Sequence, residues 1–237
     1  MSPTEIPPGF CRLPIDVLAY QEVVIQNCYR LPTSVPPGQV AVDIGAHIGC
    51  FTCEALDRGF DRVFSFEADP RNFSQLCRNA VRRPDARRAE LQWGAVWRSD
   101  KPLTDLRMAW QFDPNVRETN TGGGSVALSF GSGDLVPGHS LRSVFQRLDQ
   151  LKIPRINFLK LDCEGSEFPI LYSAPDLLDR VDRIAAELHD NLPWKSDALV
   201  DGFENTEEAV HSFLRSHGFT TERADGFPNR PYLFAER

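Results

Sequence analysis

The stretch Val40 to Thr52, which reads V-A-V-D-I-G-A-H-I-G-C-F-T, constrains the fold more than any other part of the chain. Val40, Ala41, Val42 and Ile44 form a short apolar run with β-branched residues, the pattern of a strand buried on both faces. Asp43, Gly45 and Gly49 lie at its carboxyl end, and a helical pattern over Cys50 to Arg58 begins at once. A strand, a glycine turn and a helix in succession make a cradle for a nucleotide-like ligand, because glycine lets a ligand approach the backbone closely.

The spacing inside the cradle chooses between ligands. The dinucleotide fingerprint G-x-G-x-x-G is not met: Asp43 stands where its first glycine belongs, and only Gly45 and Gly49 remain. A carboxylate beside the turn repels a pyrophosphate and attracts S-adenosyl-L-methionine (SAM), which carries an ammonium and a sulfonium. The next strand, Arg62 to Phe66, ends on Glu67, 24 residues after Asp43. An acid there accepts hydrogen bonds from both ribose hydroxyls. NAD enzymes use the same device, so an NAD-dependent oxidoreductase stands as the alternative.

Four segments occur in order between about Tyr20 and Asp190: D-I-G-A-H-I-G-C-F-T, F-E-A-D-P-R-N-F, F-L-K-L-D-C-E-G-S-E and A-E-L-H-D. Together they resemble the motifs of the FkbM family of SAM-dependent methyltransferases. His47 departs from the pattern, where relatives usually carry Asn. The resemblance implies a Rossmann-like class I methyltransferase fold, SAM as cofactor, and hydroxyls of natural products or sugars as methyl acceptors. It places the adenine wall at Ala95 and Val96. The cofactor-binding set is then Asp43, Gly45, Ala46, His47, Gly49, Glu67, Ala68, Ala95, Val96 and Asp162. Gly45 is expected to approach the methionine part too closely to tolerate a Cβ.

At 237 residues with 41% hydrophobic content, the chain suits one α/β domain with a single core. A net charge of −7 speaks against a nucleic-acid groove. No apolar run approaches membrane-spanning length, and Met1 to Cys11 lacks a signal pattern, so a soluble cytoplasmic chain with a small-molecule partner is expected. Composition carries no signal for an oligomeric state. The six cysteines are irregularly spaced and read as reduced thiols, with Cys50 and Cys53 packing behind the cofactor.

Residues 1–38 read as a lead-in and lid, with a helix from Asp16 to Tyr29 over the cofactor. Asp69-Pro70 opens a helix to about Val81, with Phe73, Leu76, Cys77 and Ala80 as its core face. Arg82, Arg83, Arg87 and Arg88 read as a solvated loop. Leu91 to Trp97 gives the third strand. Residues 100–138 form an insertion assigned to substrate enclosure, where Trp110 and Phe112 are candidate wall residues. A helix from Ser143 to Leu151, strands at Ile156 to Leu161 and Ile184 to Glu187, and a helix from Asn205 to His217 capped by Asn205 follow. Phe219 to Arg223 and Pro231 to Ala235 close the chain as an antiparallel hairpin. The alternation predicts a doubly wound, seven-stranded α/β sheet.

Open α/β sheets bind ligands beyond the carboxyl ends of their strands. Asp43, Glu67, Asp162 and Glu187 occupy four such ends and therefore converge. Methyl transfer to an alcohol needs alignment and removal of a proton. The candidate catalytic residues are His189 as general base, the carboxylates Asp162 and Glu164, and Lys160, placed to lower a hydroxyl pKa. Asp162, Glu164, Glu187, His189 and Asp190 could instead hold Mg²⁺, with Asp162, Glu187 and Asp190 as the leading set, although the metal-free reading is preferred. The tip of the fourth strand carries no Asp/Asn-Pro-Pro-Tyr platform for a planar nitrogen, which favours an oxygen nucleophile. A methyltransferase acting on a peptide or protein remains the further alternative.

Overall fold

Val40–Ile44 is buried along its whole length, and so are four of the five residues of Arg183–Glu187 and all of Phe158–Leu161. Strands of this kind need cover on both faces, which a parallel sheet with flanking helices supplies. The computed structural model describes residues 5–110, 120–128, 133–190, 192–225 and 230–237. Its strands are β1 Val40–Ile44, β2 Arg62–Glu67, β3 Ala89–Trp93, β4 Ala95–Trp97, β5 Leu106–Trp110, β6 Gly124–Ser125, β7 Asp134–Val136, β8 Gly138–Ser140, β9 Phe158–Leu161, β10 Arg183–Glu187, β11 Thr220–Asp225 and β12 Pro231–Glu236. The helices are α1 Pro14–Tyr20, α2 Cys50–Asp57, α3 Pro70–Val81, α4 Leu141–Gln150, α5 Glu167–Tyr172 and α6 Glu207–Ser216.

Seven strands make the main sheet, in the order β11-β12-β10-β9-β1-β2-β3. β1 runs parallel to β2 and β9, and β10 runs parallel to β9. Only β12 is reversed, pairing antiparallel with both β10 and β11, so the closing hairpin is as expected. The chain moves outward from β1 through β2 and β3, then returns to the other side of β1 to add β9 and β10. That reversal opens a crevice at the carboxyl ends of β1 and β9. Alternation along β1 divides the core: Val40, Val42 and Ile44 join the larger apolar cluster, while Ala41 packs with Phe51, Phe60 and Phe158 under α2.

Several boundaries differ from the sequence reading, each for a local reason. The first helix ends early: α1 passes into a π-helical turn, Gln21–Ile25, and Asn27 then takes positive φ, which turns the chain before Tyr29. The third strand breaks at Gly94, whose φ of 143° separates β3 from β4. A Cβ there would lie 2.5 Å from the Pro137 carbonyl oxygen. The fourth strand begins at Phe158, leaving Ile156 in a single bridge to Val181. Thr206, not Asn205, caps the last helix through the Ala209 amide, because Asn205 is buried and donates to the Ala198 carbonyl.

The core face of α3 is rotated by one residue from the one expected. Asn72, Gln75, Leu76, Asn79 and Ala80 are buried, whereas Phe73 and Cys77 are only partly so. The amides strap down the lead-in: Gln75 donates to the carbonyls of Gly9 and Phe10 at 2.9 Å each, and Asn79 donates to Phe10 at 3.1 Å and Ile48 at 2.8 Å. A segment outside any sheet thereby has its buried carbonyls satisfied. The arginine cluster is structural, Arg82 donating to Pro8 and Arg83 pairing with Asp57 at 3.0 Å. In the insertion, β5 pairs antiparallel with β6 and β7, over a small cluster of Trp97, Met108, Val126 and Val136. The side chain of Trp110, and Phe112 altogether, lie outside the described residues. No helix among the described residues is long and apolar enough to cross a membrane.

α4 starts two residues before the position expected because Ser140 and Ser143 cap each other. The Ser140 hydroxyl accepts from the Ser143 amide at 3.1 Å, and the Ser143 hydroxyl accepts from the Ser140 amide at 2.9 Å. Ser140→Ala is therefore expected to lower stability by about 1 kcal/mol, measured by urea denaturation; an unchanged midpoint would show the cap to be idle.

Candidate functional site

The loop after β1 is shaped by its neighbours before any ligand arrives. Gly45 takes φ 79°, and the amides of Gly45 and Ala46 both donate to the Phe66 carbonyl, at 3.0 and 2.9 Å. A Cβ on Gly45 would stand 1.8 Å from the Asp162 carbonyl oxygen. The adjacent strand thus demands the glycine whether or not a ligand approaches the loop. Gly49, the other glycine of the cradle, is absent from the cavity lining; it starts α2 at φ 91° and packs against Leu76 of α3.

Beyond these strand ends lies a cavity of about 420 Å³. One part is walled by Gly45, Ala46 and His47 of the loop, Glu67 and Ala68 after β2, and Ala95 and Val96 of β4. On the β9 and β10 side of β1 the lining includes Lys160, Asp162, Glu164 and Glu187, with Arg230. Ile15, Leu18 and Glu22 from the N-terminal segment, with Thr121 to Gly124 and Val126 from the insertion, complete the enclosure. Cys50 and Cys53 are buried free thiols, and burial pushes the Cys53 thiol up to about 11, so they pack and do not react.

Glu67 is the best-anchored acid of the first part. Its Oε2 accepts from the His47 amide at 2.7 Å and its Oε1 from the Asp69 amide at 2.8 Å. Burial outweighs these two bonds and raises its carboxyl to about 7. His47 holds φ 52°, and its Nε2 lies 2.9 Å from the Thr121 hydroxyl and 3.5 Å from Asp16 Oδ1. It thus joins the cradle to the insertion and to α1. Burial lowers this imidazole to about 4, more than the nearby Asp16 carboxylate raises it.

Asp43 does not face the cavity. It is fully buried under the loop, beside its register partner Lys160. Its Oδ1 lies 3.2 Å from Lys160 Nζ, and its Oδ2 accepts from the Thr52 hydroxyl at 2.7 Å. Lys160 also donates to the Gly45 carbonyl at 2.5 Å and lies 3.6 Å from Asp162 Oδ2. Burial works to lower this ammonium, and Asp43 and Asp162 more than reverse it, holding it above the usual lysine range. Two expectations change. Asp43 cannot screen cofactors by its charge, and Lys160 is committed to the frame, not to a substrate hydroxyl.

His189 is also displaced from its expected role. It is buried and absent from the cavity lining. Its Nδ1 is 3.1 Å from Glu167 Oε1, while Nε2 faces Glu164 at 3.4 Å, Glu187 at 3.6 Å and Asp162 at 4.0 Å. Burial lowers its basicity, but Glu164 and Glu167 outweigh that and push it up to about 10. Arg230 touches the same Nε2. A proton on Nε2 and a guanidinium donating to Nε2 exclude each other, so this position accepts one positive group at a time. Either way Nε2 is not open to a substrate proton. Glu187 is raised to about 7, by burial first and Asp162 second, and Asp162 is lowered because Lys160, His189 and the Tyr29 hydroxyl outweigh its burial. Asp190 lies elsewhere, in a shallow cleft with Thr206 and His211. The sequence reading missed Arg230, Glu22 and Tyr29, whose hydroxyl donates to Asp162 at 2.8 Å. None sits in a motif; each arrives from a segment distant in sequence.

Residues 43–221 match the methyltransferase FkbM domain. The 31-O-demethyl-FK506 methyltransferase FkbM of Streptomyces tacrolimicus is 29% identical over 224 residues, covering 85% of this chain and 80% of its own. The hexuronic acid methyltransferase AglP of Haloferax volcanii is 25% identical over 152 residues, covering 62% of this chain and 54% of its own. The crystal structure of Methyltransferase FkbM from Methylobacillus flagellatus KT superposes with a TM-score of 0.55 at 16% identity, over 91% of this chain. This chain spans 47% of that protein's length, and the likeness is one of fold.

The Lys160 network makes a stability test. Removing one member of a buried charged set leaves the others uncompensated. Lys160→Met is expected to destabilise the protein by about 3–5 kcal/mol in urea denaturation, and a loss below about 1 kcal/mol would show that Asp43 is satisfied without it.

Proposed function

The chain belongs to the FkbM family of methyltransferases, and on that premise we propose that it transfers a methyl group from SAM to a hydroxyl of a small molecule, a sugar or natural product. Family membership sets aside the oxidoreductase alternative; Asp43, being buried, no longer contributes to that choice. The observation that carries the proposal is the division of one cavity into two chemically different parts. Glu67, fixed by two backbone amides at the tip of β2, suits a ribose diol, and the small apolar walls Ala95 and Val96 suit a flat adenine ring. The other part is rich in carboxylates, which accept hydrogen bonds from hydroxyl groups.

Bound SAM supplies an electrophilic methyl carbon on a positively charged sulfur. This chain's residues would hold the acceptor in line and receive its proton. We assign the proton to Glu164, which lines the cavity, instead of His189, which does not. Glu164 is held at φ 52° by the turn after β9, and its own carbonyl accepts from the Ser125 hydroxyl at 2.5 Å, which ties it to the insertion. The small-molecule class draws on two relatives whose names specify a demethyl-FK506 and a hexuronic acid as substrates. The direct test is transfer of labelled methyl from SAM to a panel of sugars, uronic acids and polyhydroxylated macrolides. Label stable to mild alkali marks an ether and supports a hydroxyl acceptor; alkali-labile label would mark an ester and move the acceptor to a carboxylate.

Two further outcomes follow from the assigned residues. Ribose hydroxyls donate to the ionised form of Glu67, and its carboxyl titrates at about 7 when unliganded. Lowering the pH therefore charges a cost to binding: affinity for S-adenosylhomocysteine should weaken about tenfold from pH 8 to pH 6 in calorimetry, and Glu67→Gln should flatten the profile. An affinity that is constant over that range and unchanged in Glu67→Gln would remove Glu67 from the ribose. Glu164→Gln should lower turnover by about 10²–10⁴-fold with S-adenosylhomocysteine affinity little changed, and the loss should shrink at high pH. Full activity at neutral pH would send the proton elsewhere.

A further inference from the structure

We infer that the tips of β9 and β10 form a seat for a first-row divalent cation, best matched by Mn²⁺, with Asp162, Glu187 and His189 as ligands and Arg230 as a removable cap. The seat adjoins the acceptor part of the cavity; its role in methyl transfer rests on the function proposed above, whereas its existence does not. Asp162, Glu187 and His189 bring two carboxylates and one imidazole nitrogen within 4.8 Å of one another. His189 Nε2 lies 3.6 Å from Glu187 Oε1 and 4.0 Å from Asp162 Oδ1. Ligand atoms about 2.1 Å from a shared ion lie about 3–4.2 Å apart, so these spacings need no more than side-chain adjustment.

Two further observations point to a cation rather than to a chance gathering of acids. The first is the way His189 is aimed. Glu167 accepts the amides of Cys163 at 2.7 Å and Gly165 at 2.9 Å, so its carboxylate is immobilised before it meets His189 Nδ1 at 3.1 Å. A fixed carboxylate on Nδ1 directs Nε2 into the seat, the outer arrangement that orients histidine ligands in metal sites. The second is that the seat already holds positive charge. Arg230 Nη1 touches Nε2 and lies 3.3 Å from Glu187 Oε1 and 3.5 Å from Glu164 Oε1. Its side chain is 35% exposed, whereas that of His189 is 1% exposed, so the guanidinium enters from the surface and can withdraw to it. Metal binding would replace the proton or guanidinium on Nε2.

The donor set narrows the sequence expectation: Asp190 lies in a different cleft, and a site with one imidazole and two carboxylates suits Mn²⁺ better than Mg²⁺, which favours oxygen donors throughout. A cation there would stand beside Glu164, where it could lower the pKa of an acceptor hydroxyl.

The test is titration of chelator-stripped, full-length protein with Mn²⁺, followed by loss of the free-ion signal in electron paramagnetic resonance. One Mn²⁺ per chain is expected. Glu187→Gln should abolish stoichiometric uptake, Glu167→Gln should weaken it by about 10–100-fold, and Arg230→Ala should tighten it by about tenfold or more. No stoichiometric uptake by either wild type or Arg230→Ala would overturn the proposal and make Arg230 a permanent counter-ion. Wild-type affinity in Glu187→Gln would overturn it as well, by putting the ion elsewhere. Calorimetry with S-adenosylhomocysteine on the same samples separates the two readings. Protein that binds S-adenosylhomocysteine but not Mn²⁺ loses only the metal seat, and protein that binds Mn²⁺ but not S-adenosylhomocysteine loses only the cofactor assignment. If Glu187→Gln misfolds, His189→Gln gives the same test, because it removes another ligand of the same ion, and wild-type affinity in it would equally overturn the proposal.

Discussion

A buried ammonium sets the geometry of this protein's cavity. Lys160 stands in register with Asp43 across the β9–β1 pair and reaches the carbonyl of Gly45 in the loop above. Thr52 at the start of α2 holds the other oxygen of Asp43 and also bonds the Ser65 hydroxyl of β2. One charge pair therefore ties together three parallel strands, the cradle loop and a helix. Such a pair is costly to desolvate, and its gain comes when every member is satisfied. What it provides here is position. The loop cannot slide relative to Asp162, because Gly45 lies against the Asp162 backbone on one side and Lys160 on the other.

With the floor fixed, the cavity's two parts take on different electrostatic characters. Around Glu67, whose oxygens are held by amides, the lining combines the small apolar Ala68, Ala95 and Val96 with Asp69, whose carboxylate is paired with Arg71. Around β9 and β10 the carboxylates of Asp162, Glu164, Glu187 and Glu167 converge, and they are balanced by His189 and Arg230, with Lys160 already committed below. The separation matters for a group-transfer reaction. Two bound groups would then meet different surfaces, one of them lined by side chains that can orient a partner and accept a proton. The N-terminal segment and the insertion meet over this arrangement through His47, which lies between Asp16 and Thr121.

Much of this is legible in the sequence. The strand–glycine–helix unit at Val40 to Thr52, the acid at Glu67 and the turn Asp162 to Glu167 all sit in contiguous motifs, because a parallel strand, its turn and the next helix are local features. The alternation of such units led to the doubly wound sheet and its closing hairpin. Boundaries slipped where a side chain from elsewhere intervened. The face of α3 is rotated because its amides serve the carbonyls of Gly9, Phe10 and Ile48, and apolar spacing alone points to Phe73 and Cys77 instead.

The sequence by itself determined which strands end in acids, and hence that the acids would converge on one crevice, because the side-chain order along a parallel sheet follows from the order of its strands. Only the tertiary structure decided which of those acids face the cavity. Asp43 and Glu67 both stand at strand tips, yet Asp43 points to Lys160 and Glu67 opens to the lining, a difference set for Asp43 by its cross-strand neighbour Lys160, from a strand far along the chain. The same holds for His189, which reads as a base in sequence but is enclosed by Glu167 from one direction and Arg230 from another. Proton affinity and access are properties of the surroundings in three dimensions, and a one-dimensional motif does not contain those surroundings.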